Sequence, residues 1–127
     1  MRKLAVAGFV VAWPLAALAQ QGSTCSSPTF EKRLIAAVAK GEVQLKTIPV
    51  GNAQEFALCY ARRACAALSK IEFEMYALSA ISSYGDDRAE GEYLGRMRRH
   101  RKENNLASEK VSPNALHDAC KREIGMR

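Results

Sequence analysis

The stretch Ala53–Tyr84, AQEFALCYARRACAALSKIEFEMYALSAISSY, decides the fold. Phe56, Leu58, Tyr60, Leu68, Ile71, Phe73, Met75, Tyr76, Leu78 and Ile81 point all round a helical projection, and six alanines fill the span from Ala53 to Ala67. A helix that is apolar on every side belongs at the centre of a domain. Asn52-x-x-Glu55 resembles a capping box at its start. Ser82-Ser83-Tyr84-Gly85 closes it, and Ser69-Lys70 is where it would break into two shorter helices.

The flanking segments supply elements to cover that centre. Ser27-Pro28 has the form of an N-cap followed by proline at the first helical position. Phe30, Leu34, Ile35 and Val38 then recur at helical spacing, and Gly41 is a natural stop, which predicts a helix over 28–40. Gly41–Gly51 reads as an extended loop, because the alternation of Val43 and Leu45 has no partner strand to pair with. Asp87-x-x-Glu90 opens a helix of different character, running to about residue 103. Its apolar stripe is narrow (Tyr93, Leu94, Met97), and Gly91 and Gly95 weaken it by about 1 kcal/mol each relative to alanine unless a close neighbour compensates. Gly91-x-x-x-Gly95 therefore marks close approach by another helix, from this chain or from a second copy in a homodimer. After Asn104-Asn105 comes a polar connector, and Ser112-Pro113 repeats the helix-start signal before Leu116, Cys120 and Ile124. The expectation is an all-α domain of four to five helices.

Further out, residues 1–19 read Met-Arg-Lys, an apolar run Leu4–Leu18, and Ala17-Leu18-Ala19 before Gln20, the form of a cleaved signal peptide. The run is shorter than the roughly 20 residues a membrane span needs, and Pro14 interrupts it. Gly22-Ser23-Thr24 before Cys25 is not a lipoprotein box, so no stable membrane anchor is expected. Cleavage would leave a flexible leader, 20–27, and a single helical domain, 28–127. Removing Arg2 and Lys3 takes 19 basic residues to 17 against 13 acidic ones, so the net charge falls from +6 to +4. The compartment expected is periplasmic or secreted, where thiols oxidise.

Cys25, Cys59, Cys65 and Cys120 are thus disulfide candidates. Cys59 and Cys65 are six residues apart on one predicted helix, a rise of about 9 Å and a rotation of about 240°, whereas a disulfide needs Cα atoms within about 7 Å. Each must reach an outer cysteine. If helix 28–40 folds back on the next, Cys25 lies opposite the upper sixties, which favours Cys25–Cys65 with Cys59–Cys120 over Cys25–Cys59 with Cys65–Cys120. No Cys-x-x-Cys redox pair or haem site occurs. The spacing does not converge four ligands on zinc, and no metal or cofactor is implied.

No catalytic constellation stands out. His100 lies in a basic run, and His117 adjoins Asp118, which does not share its helix face. There is no Gly-x-Ser-x-Gly, Ser-x-x-Lys or His-Glu-x-x-His. Glu72, Glu74, Asp86, Asp87, Glu90 and Glu92 read as a solvated acidic surface, with Asp86 and Asp87 as capping residues. The chain is not expected to be an enzyme. Its sharpest surface signal is the run Arg96, Arg98, Arg99, Arg101 and Lys102, which suits nucleic acid, anionic lipid, cell-wall polymer or an acidic protein face. The alternative is that these cations gather at a helix C-terminus, where the dipole favours them. Nucleic acid is not the expected partner, because no aromatic residues interleave with the arginines.

Phe56-Ala57-Leu58-Cys59 opening an alanine-rich helix, and Leu116 through Cys120 near the end, are similar to stretches of the small periplasmic immunity proteins that protect bacteria from type VI secretion amidases. The resemblance covers about 20 residues, and Cys65 and the run 96–102 fall outside it. It implies an exported, helical, disulfide-containing inhibitor of a secreted cell-wall-active toxin. The basic helix 87–103 and the Gly85–Asp87 turn, with Asp86 and Asp87, are the expected contacts. The alternative is a periplasmic accessory subunit of a conjugation, type IV secretion or other envelope machine.

Overall fold

The computed structural model describes residues 25–126; the expected signal, 1–19, and the first residues of the leader lie outside them. The described residues form six helices and no strand: α1 Pro28–Gln44, α2 Val50–Ala67, α3 Lys70–Ser83, α4 Asp87–Met97, α5 Arg101–Lys110 and α6 Pro113–Glu123. The all-α expectation stands, with six helices rather than four or five. The extra helix comes from a break in the basic segment.

α1 lies against α2 and α3, α3 also carries α4 and α5, and α6 lies against α2. Leu34 and Val38 of α1, Phe56, Ala57 and Ala64 of α2, and Phe73, Leu78 and Ile81 of α3 meet in one buried core, closed by Ile48, Leu68 and Cys120. Burying each of the larger side chains stabilises the fold by about 1.5–3 kcal/mol.

α1 runs through Gly41 instead of stopping there. The Tyr84 ring lies on the Gly41 Cα, in the space a Cβ would take, so the glycine serves a close approach within the helix. The helix ends in a Schellman turn: Lys46 donates its N–H to the Val43 carbonyl at 3.0 Å and Thr47 to the Glu42 carbonyl at 2.9 Å. Lys46 holds φ at 60°, the left-handed conformation usually given to glycine. The expected extended loop is therefore a five-residue turn, with Ile48 buried beneath it.

α2 begins at Val50, so Asn52 lies inside its first turn and makes no cap there. The capping box belongs to the break between α2 and α3. Ser69 accepts from the Glu72 N–H at 3.4 Å and Glu72 accepts from the Ser69 N–H at 3.0 Å, while Leu68 turns extended and buries its side chain. Asp86 and Ser112 cap α4 and α6 by accepting from Ala89 and Ala115.

The cysteines pair as Cys25–Cys65 and Cys59–Cys120, with Cα–Cα distances of 5.2 and 5.8 Å. Because Cys25 precedes α1 and Cys65 lies near the end of α2, the two helices run antiparallel. The described end of the leader is held: Cys25 is buried, and Ser27 donates its hydroxyl to Glu74 at 2.9 Å instead of capping α1.

Candidate functional site

The basic segment is a corner between two helices. Arg99 and His100 both donate their N–H to the Arg96 carbonyl at 3.1 Å, and His100 leaves helical geometry before α5 begins at Arg101. The bend lets both helices reach α3. Ala89 of α4 and Ala107 of α5 are both buried, and the Tyr93 hydroxyl donates to Asn104 Oδ1 at 2.9 Å across the hairpin. A straight helix over 87–103 would have carried α5 away from that support.

Arg96 is separated from its neighbours in role. Its guanidinium donates to Glu74 Oε1 at 2.6 Å and lies over the Phe30 ring at 5.4 Å from the centroid. Lys110, at the other end of α5, reaches Glu72 at 2.7 Å. Glu72 and Glu74 are thus not a solvated acidic surface. Both are buried, and each carries a cation across from α4 or α5. Burial pushes both carboxyls up, but the bonds from Lys110 and Ser69 to Glu72, and from Arg96 and Ser27 to Glu74, outweigh it and hold both below the usual carboxylate range.

Arg98, Arg99, Arg101 and Lys102 are all exposed, and among the described residues none of them makes an ion pair or side-chain hydrogen bond. The helix-terminus explanation covers only part of this run. Arg98 and Arg99 follow the C-terminus of α4, where the dipole favours cations, but Arg101 and Lys102 occupy the first turn of α5, where it opposes them.

Asp86 and Asp87 lie at the opposite end of α4, which is 11 residues long, a rise of about 16 Å. The fold does not bring the acidic turn and the basic corner together, and Asp86 is committed to its cap. Gly91 and Gly95 face open space: a Cβ built on either meets no atom of the described residues within 4 Å. No described helix makes the close approach expected from within the chain, and Leu94 between them is 58% exposed.

Sequence reasoning missed two polar centres. The buried Glu42 accepts from the Tyr84 hydroxyl at 2.8 Å and meets His117 Nε2 at 3.3 Å, tying α1, the end of α3 and α6. The His117 ring stands edge-on to Phe56, 5.0 Å between centroids. Nothing in spacing joins residue 42 to 117. The second centre is a cleft of about 290 Å³ between α3 and α5, floored by Tyr60 and Tyr76. Those two rings stack at 6.4 Å, and their hydroxyls lie 2.8 Å apart. Among the described residues, the one grouping with metal-ligand character is Cys25, Glu31 and Cys65. Its two sulfurs are bonded to each other and offer no thiolate.

Fold and surface together define a class: a disulfide-closed all-α domain that presents an unpaired basic corner. No protein family, curated protein or solved structure matches this chain. No helix among the described residues is long and apolar enough to cross a membrane.

Proposed function

We propose that the chain is an exported binding protein that neutralises a secreted cell-wall-active enzyme by protein–protein contact, docking it through the corner Arg98, Arg99, Arg101 and Lys102. The observation that carries this reading is the set of four exposed cations without partners among the described residues, two of them placed against the α5 dipole. Such an arrangement costs stability by about 0.3–1 kcal/mol per charge, and an acidic partner face would offset that cost while steering association. Two disulfides suit an oxidising compartment, and a covalently stiffened frame loses little conformational entropy on docking. Asp87, remote from the corner, belongs to the same contact only if the partner spans the length of α4.

The test uses the oxidised chain from Gln20 and any exported cell-wall hydrolase found encoded beside its gene. Equimolar addition is expected to abolish hydrolysis, with a complex on gel filtration that weakens as salt rises. The triple variant R98E/R99E/R101E is expected to bind roughly 100-fold more weakly, about 1 kcal/mol for each reversed contact, with an unchanged circular dichroism spectrum. Absence of a complex, or a triple variant that inhibits as well as the parent, overturns the reading.

A further inference from the structure

The cleft between α3 and α5 has an unusual lining for this chain. A quarter of the residues are charged, yet among the described residues no charged side chain borders it. Its floor and walls carry the rings of Tyr60, Tyr76 and Tyr84, and its other polar side chains are Ser79, Ser83, Ser108 and Asn104, of which Ser83 donates its hydroxyl to the Ala80 carbonyl at 2.6 Å.

Much of that hydrogen-bonding capacity is unspent. In the Tyr60–Tyr76 pair one hydroxyl donates to the other, so one of the two protons remains undirected. Asn104 uses its Oδ1 to accept from Tyr93, which leaves both hydrogens of its amide free. Ser108 donates to the Asn104 carbonyl at 3.2 Å and keeps its acceptor lone pairs. Ser79 is exposed and makes no side-chain hydrogen bond among the described residues. The lining thus offers both donors and acceptors, most of them on rotatable hydroxyls, beside apolar ring surface.

We infer that this cleft binds a neutral sugar ring. A pyranose presents a hydrocarbon face to an aromatic side chain and a rim of hydroxyls that donate and accept. Serine and tyrosine hydroxyls reorient to suit that rim, whereas a planar base needs donors and acceptors fixed in order. The volume of about 290 Å³ lies at the small end of ligand pockets, which run from about 300 to 1,000 Å³, and has room for one ring rather than a chain. The absence of charge disfavours phosphates and free acids. The inference does not depend on the partner proposed above, because the cleft shares no residue with the basic corner.

The experiment is an NMR titration of the oxidised protein with N-acetylglucosamine, with uridine as the planar comparison. Saturable shifts are expected at the Asn104 side-chain amide and at the backbone amides of Ser79 and Ser108, with a Kd on the order of 1 mM for a ligand of this size. The amides around Arg62 and Glu123, on the α2–α6 side, should stay still. Ser79→Trp places a bulky ring in the cleft mouth at an exposed site without bonds to lose. It is expected to weaken binding at least about tenfold while the dispersion of the spectrum is kept. If Ser79→Trp unfolds the protein, Asn104→Asp, which puts a charge into the lining, is expected to weaken binding in the same way. No saturable shift, shifts indifferent to the variants, or an equal response to uridine overturns the inference.

Discussion

The two halves of the molecule are held by different forces. On one side, the disulfides Cys25–Cys65 and Cys59–Cys120 fasten the start of α1 and the middle of α6 to α2. On the other, α4 and α5 carry no disulfide. They rest on α3 through Ala89 and Ala107, and through cations reaching the buried carboxylates Glu74 and Glu72. The two disulfides of the stapled half are indifferent to pH and salt, while His117–Glu42 and Arg62/Arg63–Glu123 add polar contacts there. The clasped half is electrostatic, and it carries both the basic corner and the exposed Gly91–Leu94–Gly95 face. The surface proposed for contact is thus built on the more adjustable half.

The largest effect that separates the halves is loss of a staple. Opening the Cys59–Cys120 link by a double alanine substitution frees a loop of sequence separation 61, worth about 4 kcal/mol of chain entropy. Urea unfolding should show that loss across the whole domain. A loss confined to α6 would mean that the stapled half is not cooperative.

Next comes the clasp. Arg96→Met leaves the Glu74 carboxylate buried with Ser27 as its remaining partner, at a cost of about 2–3 kcal/mol. Hydrogen exchange should quicken first in α4 and α5, with α1 and α2 still protected. Acid should do the same without mutation. Glu72 and Glu74 have folded pKa values below their unfolded ones, so their stabilisation is fully present above about pH 4.3 and is lost as pH falls through the lowered values. Uniform opening of both halves on acidification would erase the distinction.

The smallest effects come from glycines and should differ in sign between the halves. Gly41→Ala puts a methyl group into the Tyr84 ring and should destabilise by about 1–3 kcal/mol. Gly95→Ala meets nothing and should stabilise α4 by about 1 kcal/mol. Thermal melts of the two variants decide the matter. A destabilising Gly95→Ala would indicate that another molecule approaches that face.

The half that sequence reveals best is the stapled one. The all-round apolarity of Ala53–Tyr84 and the impossibility of pairing Cys59 with Cys65 are local facts of helical geometry; they send each of these cysteines to an outer one, and the fold-back of helix 28–40 then favours the pairing observed over its alternative. The break at Ser69, the Asp86 cap and the Ser112 start rest on residue types that carry their meaning within three or four positions. What was illegible is long-range. Gly41 reads as a stop unless Tyr84, 43 residues later, is known to cover it. Glu72 and Glu74 read as solvated because their cations come from Lys110 and Arg96 on other helices. The basic run reads as the end of one helix because nothing in its composition records that α5 must bend back onto α3. Of the candidate site, the exposed cations were legible, but not that Arg96 is withdrawn from them, nor that Asp86 and Asp87 stand at the far end of α4.

The tyrosines have an optical consequence. Trp13, the single tryptophan, precedes Gln20, so a chain cleaved there would owe its near-ultraviolet absorption chiefly to Tyr60, Tyr76, Tyr84 and Tyr93. All four hydroxyls are engaged in the fold. Burial raises Tyr60, Tyr76 and Tyr84 above the ordinary phenol range, with the Glu42 carboxylate adding to the rise at Tyr84. Tyrosinate absorbance from these three rings near pH 10 would therefore report unfolded molecules, giving the cleaved protein an intrinsic, label-free readout of its own alkaline unfolding.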